Sequence, residues 1–237
     1  MTVFVASAGQ QTPPPRAAAF RLAGMDVHAD RSGALWIASA GTLVAADLHF
    51  EKGSAFAARG MLLPPYDTAA TLCALGDVIT HYDPQRVIAL GDSFHDQDAG
   101  SRMGADARAV LAGLMQGREW IWIAGNHDRE ISAGPGAPVD EYVLGPLTFR
   151  HEPRTGAQPG EIAGHLHPAA QVVSPSGRVR RKCFLSDGSR CILPAFGAYT
   201  GGLDVRAAAF DGLFPKGWTA YVPGRETVYA IDQARCG

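Results

Sequence analysis

Three short runs are apolar on every residue, and each ends on a polar block. Val44-Ala45-Ala46 runs into Asp47, Val87-Ile88-Ala89-Leu90 into Gly91-Asp92, and Trp120-Ile121-Trp122-Ile123-Ala124 into Gly125-Asn126. Runs with no polar face read as strands buried on both sides, as in a parallel sheet. Helical spacing fills the gaps, with helices expected over residues 53–60, 68–80 (Leu72, Leu75, Val78, Ile79) and 101–116. Strand, helix, strand is the βαβ unit, whose ligands collect beyond the carboxyl ends of the strands. All three polar blocks fall there.

Upstream, strands are expected at 19–22, 34–38 and 42–46, with a hairpin turn at Asp30-Arg31-Ser32-Gly33. Downstream of Ile131 the texture turns to β. Residues 135–138 read as a loop and 142–151 as one alternating strand. Short strands follow at 161–163, 171–173, 182–185 and 191–193, with turns at Pro175-Ser176-Gly177 and Asp187-Gly188. Residues 1–18, containing Pro13-Pro14-Pro15, are read as a flexible N-terminal segment, and 19–237 as a single domain.

The chain's 237 residues suffice for one full α/β core. No apolar run approaches the roughly 20 residues that cross a bilayer, and the N-terminus lacks a basic signal region. The expectation is a cytoplasmic protein with no membrane partner. A net charge of −2 excludes a general polyanion binder, so any nucleic-acid contact must come from a local basic patch or from bound metal. Cys73, Cys183, Cys191 and Cys236 show no metal-type spacing and read as buried reduced thiols, although Cys183 and Cys191 could face each other across a hairpin.

Six of the eight histidines stand in five short blocks, three of which also hold Asp or Asn. The blocks are Asp47-Leu48-His49, Gly91-Asp92-Ser93-Phe94-His95, Gly125-Asn126-His127-Asp128, His151 and Gly164-His165-Leu166-His167. Carboxylate, amide and imidazole without thiolate suit catalytic divalent ions better than structural zinc. On an extended segment Asp47 and His49 share a face, as do His165 and His167. Asp47 and His49 can hold one ion, Asp92 can bridge it to a second, and Asn126 and His151 can complete the second site. Two ions so placed are the two-metal arrangement of hydrolytic phosphate enzymes.

This order of motifs, DxH, GD, GNHD, H and GHxH, resembles the calcineurin-like metallophosphoesterase superfamily. More narrowly, Ala46-Asp47-Leu48-His49-Phe50-Glu51-Lys52-Gly53, Leu90-Gly91-Asp92-Ser93-Phe94-His95-Asp96, Gly164-His165-Leu166-His167-Pro168 and Leu193-Pro194-Ala195-Phe196-Gly197-Ala198-Tyr199-Thr200-Gly201-Gly202 resemble the bacterial ligase-associated DNA damage response endonucleases. The resemblance runs from about residue 19 to the C-terminus. It implies a four-layer α/β/β/α sandwich with mixed sheets and two divalent ions, manganese first, with iron or zinc also admitted. The first ion would take Asp47, His49, Asp92 and His167, and the second Asp92, Asn126, His151 and His165. His127 would stabilise or protonate the departing oxygen, with Asp128 orienting its ring, while metal-activated hydroxide attacks phosphorus in line. DNA is the implied substrate, in a repair setting beside an ATP-dependent DNA ligase, an exonuclease and a helicase. A phosphatase or phosphodiesterase of small molecules, and a non-catalytic metal-stabilised scaffold, are the alternatives.

Around this centre, His95 and Lys52 are candidate neighbours or substrate contacts. Arg178-Val179-Arg180-Arg181-Lys182 carries four cations in five residues, from which Arg180 and Arg181 are candidate DNA contacts; the competing reading is a solvated hairpin flank. Trp120 and Trp122 read as core. Phe196 and Tyr199 lie in a Gly-rich loop expected to border the site.

Overall fold

In the computed structural model, residues 16–128, 137–174 and 177–236 are described. Six strands follow one another in chain order across the first sheet: β1 (Ala17–Leu22), β2 (Met25–Asp30), β3 (Leu35–Ile37), β4 (Thr42–Ala46), β5 (Arg86–Leu90) and β6 (Glu119–Ile123). β1 to β4 pair antiparallel, and β4, β5 and β6 run parallel. The parallel joins are the ones whose crossovers carry helices: α1 (Lys52–Ala58) and α2 (Asp67–Tyr82), then α3 (Ala99–Arg102) and α4 (Ala105–Met115). The single helix expected over 101–116 is therefore two, because Met103 and Gly104 are extended, with ψ of 123° and 157°.

The second half supplies β7 (Glu141–Leu144), β8 (Leu147–Arg150), β9 (Glu161–Ala163), β10 (Pro168–Ser174), β11 (Gly177–Lys182), β12 (Phe184–Ser186), β13 (Cys191–Ile192), β14 (Leu203–Asp204), β15 (Thr219–Pro223) and β16 (Val228–Asp232). Seven of them form a mixed sheet in the order β16-β15-β12-β13-β9-β8-β7, and β11-β10-β14 form a small third sheet.

Strand alternation sorts side chains into separate cores. Leu43, Ala45, Val87, Ala89, Trp120 and Trp122 pack with Leu72, Leu75, Val78 and Leu111 of the helices. Their neighbours Val44, Ala46, Ile88, Leu90 and Ile123 pack with Phe149, Ile162, Phe184 and Cys191 of the second sheet. On that sheet's other face Ala163, Leu185, Ile192 and Ala220 meet Val205, Phe210, Leu213, Phe214 and Trp218. The expected sandwich of mixed sheets is what forms. Its layer over the second sheet, among the described residues, is an irregular segment with one 3-10 turn (Ala208–Phe210) rather than an α-helix. Gly212, Pro215 and Gly217 interrupt that stretch, and glycine and proline disfavour helix continuation.

Other expectations change in detail. β2 was not anticipated. The strand expected over 142–151 is the β7–β8 hairpin, turned at Gly145, whose φ is +59°. β1 begins at Ala17, inside the segment expected to be flexible; residues 1–15 lie outside the described residues, as do Pro135, Gly136, Pro175 and Ser176 of the expected loop and turn. All four cysteines are free, but Cys73 is exposed. Cys183 and Cys191 lie in different cores and do not face each other. No helix among the described residues is long and apolar enough to cross a membrane.

Candidate metal centre

The blocks converge where β4, β5 and β6 end against the start of the second sheet. Past β4 the chain stays tied to the loop after β5: Asp47 N–H donates to Gly91 O (3.2 Å), His49 N–H to Asp92 O (2.9 Å) and Phe50 N–H to Ser93 O (2.8 Å). His165 N–H donates to Asp47 Oδ2 at 3.1 Å, bringing in the GHLH block from 118 residues away.

Asp47 and His49 do not share a face by extension, and neither do His165 and His167. Asp47, His49, Asp92, His165 and His167 all have left-handed backbones, with φ between 44° and 66°. Such conformations cost L-residues about 1–2 kcal/mol each and gather at functional sites. The sharp turns aim the side chains inward, where an extended chain would alternate them.

Two sets of donor atoms result. Asp47, His49 and His167 offer atoms within 4.8 Å of one another, and so do Asp92, His151 and His165. Asp47, His49, Asp92 and His151 are buried. Asp47 Oδ1 is 3.1 Å from His167 Nε2 and 3.8 Å from His151 Nδ1, and Asp92 Oδ2 is 3.4 Å from His151 Nε2. His165 Nδ1 lies 3.2 Å from His151 Nε2, and the exposed Asn126 amide is 3.5 Å from His165 Nδ1.

These residues fit divalent ions. His167 Nε2 is buried without a hydrogen-bond partner although a carboxylate oxygen stands 3.1 Å away, so the pair is placed but not aligned for a hydrogen bond. A cation between them would satisfy both. Among the described residues, neither Asp47 nor Asp92 pairs with lysine or arginine; imidazoles surround them. Burial pushes His49 down to about 3, against the pull of Asp47 and Asp92. It also lowers His165, helped by His151. Neutral imidazole is the form that carries a ligand lone pair. Burial would lower His151 too, but its hydrogen bond to Asp92 and the charge of Asp47 lift it to about 9.

His127 presents a half-exposed ring, 3.9 Å from Asp92 Oδ2 and stacked on His95 with centroids 5.6 Å apart. Its backbone N–H donates to Asp92 Oδ1 at 3.0 Å. Asp128, expected to orient that ring, instead turns its buried carboxylate to the backbone. Oδ2 accepts from Ser93 N–H (2.6 Å) and Phe94 N–H (3.1 Å), and Oδ1 from Gly125 N–H (2.9 Å). It locks the loops after β5 and β6 together. Two glycines permit this closeness: a Cβ on Gly91 would enter the His151 ring, and one on Gly125 would strike Asp92.

His95 lies beside the first set, its Nδ1 3.4 Å from His49 Nδ1. Burial, then the charges of Lys52 and His127, push it down to about 4. Lys52 opens α1, with its ammonium 5.9 Å from the Phe56 ring centre.

The basic run forms β11, and its register splits it by face. Val179 pairs with Val172 and Arg181 with Ala170, on the side of the core behind the second sheet. Arg180 pairs with Gln171 and Lys182 with Ala169, on the opposite side. There a cleft of about 200 Å³ is lined by His167, Arg180, Lys182, Thr200, Gly201 and Gly202. Arg181 is thus not brought to the site, whereas Lys182 is. Strand alternation carried that signal in the sequence. Phe196 is core (4% exposed), and Tyr199 is exposed.

No family model and no curated protein matches the sequence. Among solved structures, the Pseudomonas putida nuclease MPE is similar over 91% of this chain and 100% of its own, with 26% identity and a TM-score of 0.68. YfcE, a phosphoesterase of Escherichia coli, is similar over 81% of this chain and 98% of its own, at 15% identity and a TM-score of 0.41. Sandwich, ordered motifs and two adjacent donor sets agree with the nuclease neighbour: the chain has a metallophosphoesterase-like sandwich fold and is a hydrolase acting on phosphoric esters.

Proposed function

We propose that this metal-dependent phosphoesterase is a DNA endonuclease. The observation that carries the reading is the cleft in which His167, a candidate ligand, shares walls with Arg180 and Lys182. A monoester needs no cations beyond the reacting phosphate, whereas a polynucleotide brings neighbouring phosphates that such cations attract. The nuclease neighbour supports the same substrate class.

Asp47, His49, Asp92 and His167 would hold one ion, and Asp92, Asn126, His151 and His165 the other. Bound divalent ions would supply Lewis acidity, neutralising charge on the phosphoryl oxygens and lowering the pKa of water. The protein's own part is to hold carboxylates and imidazoles in a preorganised cradle, with His49 and His165 kept neutral by burial. His127, fastened through its backbone to Asp92 and half open to solvent, would hold a proton at Nε2 for the departing oxygen. The family resemblance extends the proposal to manganese as the metal and to DNA repair, with an ATP-dependent ligase, an exonuclease and a helicase as partners.

The test is metal-loaded protein on supercoiled plasmid, linear single- and double-stranded DNA, bis(p-nitrophenyl) phosphate and a phosphomonoester. DNA cleavage without free ends supports the reading. Turnover of the monoester alone overturns it.

A further inference from the structure

Glu161 opens β9 and is only 1% exposed. Arginines reach its carboxylate from both neighbouring strands. From β8, Arg150 Nη1 donates to Oε1 at 2.6 Å; from the residue before β13, Arg190 Nε stands 3.3 Å from Oε2. The register puts this cluster on the face turned away from the first sheet. Arg150 pairs with Ala163, which packs in the core behind the second sheet, while Phe149 and Ile162 point the other way. Oε1 also accepts the backbone N–H of Arg154 (3.0 Å), and Arg190 Nη2 donates to Gly156 O (2.7 Å). The connection from His151 to Gly160 is thus gathered round one carboxylate.

For stability alone this is a poor arrangement. Arg150 Nε, Glu161 Oε2 and Arg190 Nη1 are buried without hydrogen-bond partners among the described residues. Buried ion clusters are often matched or bettered by apolar side chains of similar volume. The position of the cluster gives it another role. Arg150 immediately precedes His151, and β9 runs from Glu161 toward Gly164 and His165, where Gly164 N–H donates to His151 O at 3.0 Å. His151 Nε2 and His165 Nδ1 stand 3.2 Å apart. Glu161 therefore clamps together the two strands that deliver His151 and His165 to the set completed by Asp92. The other set takes only His167 from this half, and His167 has a tie of its own: its O accepts Leu203 N–H at 3.0 Å.

We infer that Glu161 is a positioning residue for the ion assigned to Asp92, Asn126, His151 and His165. Through Arg150 and Arg190 it fixes the spacing of His151 and His165, and so sets the affinity of that ion without touching it. The inference rests on the two-ion reading above.

The experiment titrates Mn²⁺ into chelator-treated protein and counts bound ions from the EPR signal of free Mn²⁺, with Tm measured alongside. Wild type, Glu161→Gln and Asp30→Asn are compared. Asp30→Asn also breaks a buried ion pair, but one bonded to Arg16, Ser32 and Tyr82 and to neither donor set. Wild type is expected to bind two ions. Glu161→Gln should weaken one of them about 10–100-fold and leave the other within about twofold, whereas Asp30→Asn should lower Tm and keep both. Added to His151→Ala, which has already lost that ion, Glu161→Gln should weaken nothing more. If Glu161→Gln does not fold, Glu161→Gln/Arg190→Met, which removes the buried cation together with the anion, takes its place in the same comparison. Two ions held as in wild type, both weakened alike, or a further loss on top of His151→Ala would overturn the positioning role and leave the two-ion reading standing. A wild type that binds a single ion overturns both.

Discussion

His127 donates its backbone N–H to Asp92 Oδ1 at 3.0 Å, so the loop carrying the candidate acid is fastened to a candidate ligand. The ring itself only approaches Asp92, at 3.9 Å. His127→Ala keeps the backbone bond and removes the ring. It should retain metal by elemental analysis yet lose about 10²–10⁴-fold in rate. The loss should be greatest for poor leaving groups and small for p-nitrophenolate. A uniform loss across leaving groups would reject proton donation.

Metal should stabilise the fold measurably. Ligand at a hundredfold excess over Kd adds about 2.7 kcal/mol, so Mn²⁺ added to chelator-treated protein should raise Tm and EDTA should reverse it. His151→Ala should abolish most of that rise. An unchanged rise would remove His151 from the ligand set.

Asp128 predicts a different failure. Asp128→Asn keeps the shape but loses acceptor capacity toward three N–H groups. The expected cost is about 1–3 kcal/mol in urea unfolding, with weakened metal binding as the loops loosen. Gly125→Ala should do likewise by steric conflict with Asp92, whereas Gly104→Ala, open on every side, should be neutral. Full metal affinity in Asp128→Asn would show that the loops hold without it.

The acid limit of stability should trace partly to Asp30. Burial alone would raise its pKa, but hydrogen bonds from Arg16, Ser32 and Tyr82 outweigh it and hold the carboxyl below the ordinary range. A depressed carboxyl contributes stability above its unfolded pKa of about 3.9, lost as pH falls through the folded value. Asp30→Asn should cost about 3–5 kcal/mol at pH 7, and its gap from wild type should close as pH drops toward 3. A gap independent of pH would contradict the assignment.

The two faces of β11 make opposite predictions. Arg180→Glu should weaken DNA binding and flatten its dependence on salt by about one unit of slope. Arg181→Glu, on the other face, should do neither. Equal effects would mean that the strand binds as a diffuse charge and not through the cleft.

How much of this was legible beforehand depended on distance along the chain. β4, β5 and β6 announced themselves because each is apolar on both faces, and the ligand types because their chemistry is local. β2 hid its nature: Asp30 looks like turn chemistry until Arg16 and Tyr82, 14 and 52 residues away, are seen to satisfy it. The left-handed turns at Asp47 and His165 depend on hydrogen bonds to partners far along the chain, which no local pattern encodes. The aromatic cover of the second sheet, from Val205 to Trp218, has no single period and so gave no element to predict.

Each donor set draws on both halves of the molecule. Asp47 and His49 come from the first sheet and His167 from the second half; Asp92 comes from the first, His151 and His165 from the second. Neither half holds a complete site, so ions bound there act as removable cross-links between the sheets, closing loops of more than fifty residues in the way a disulfide would. Hydrogen exchange should therefore slow in both sheets together when metal is added, and two separately produced halves should bind it only once they have reassembled.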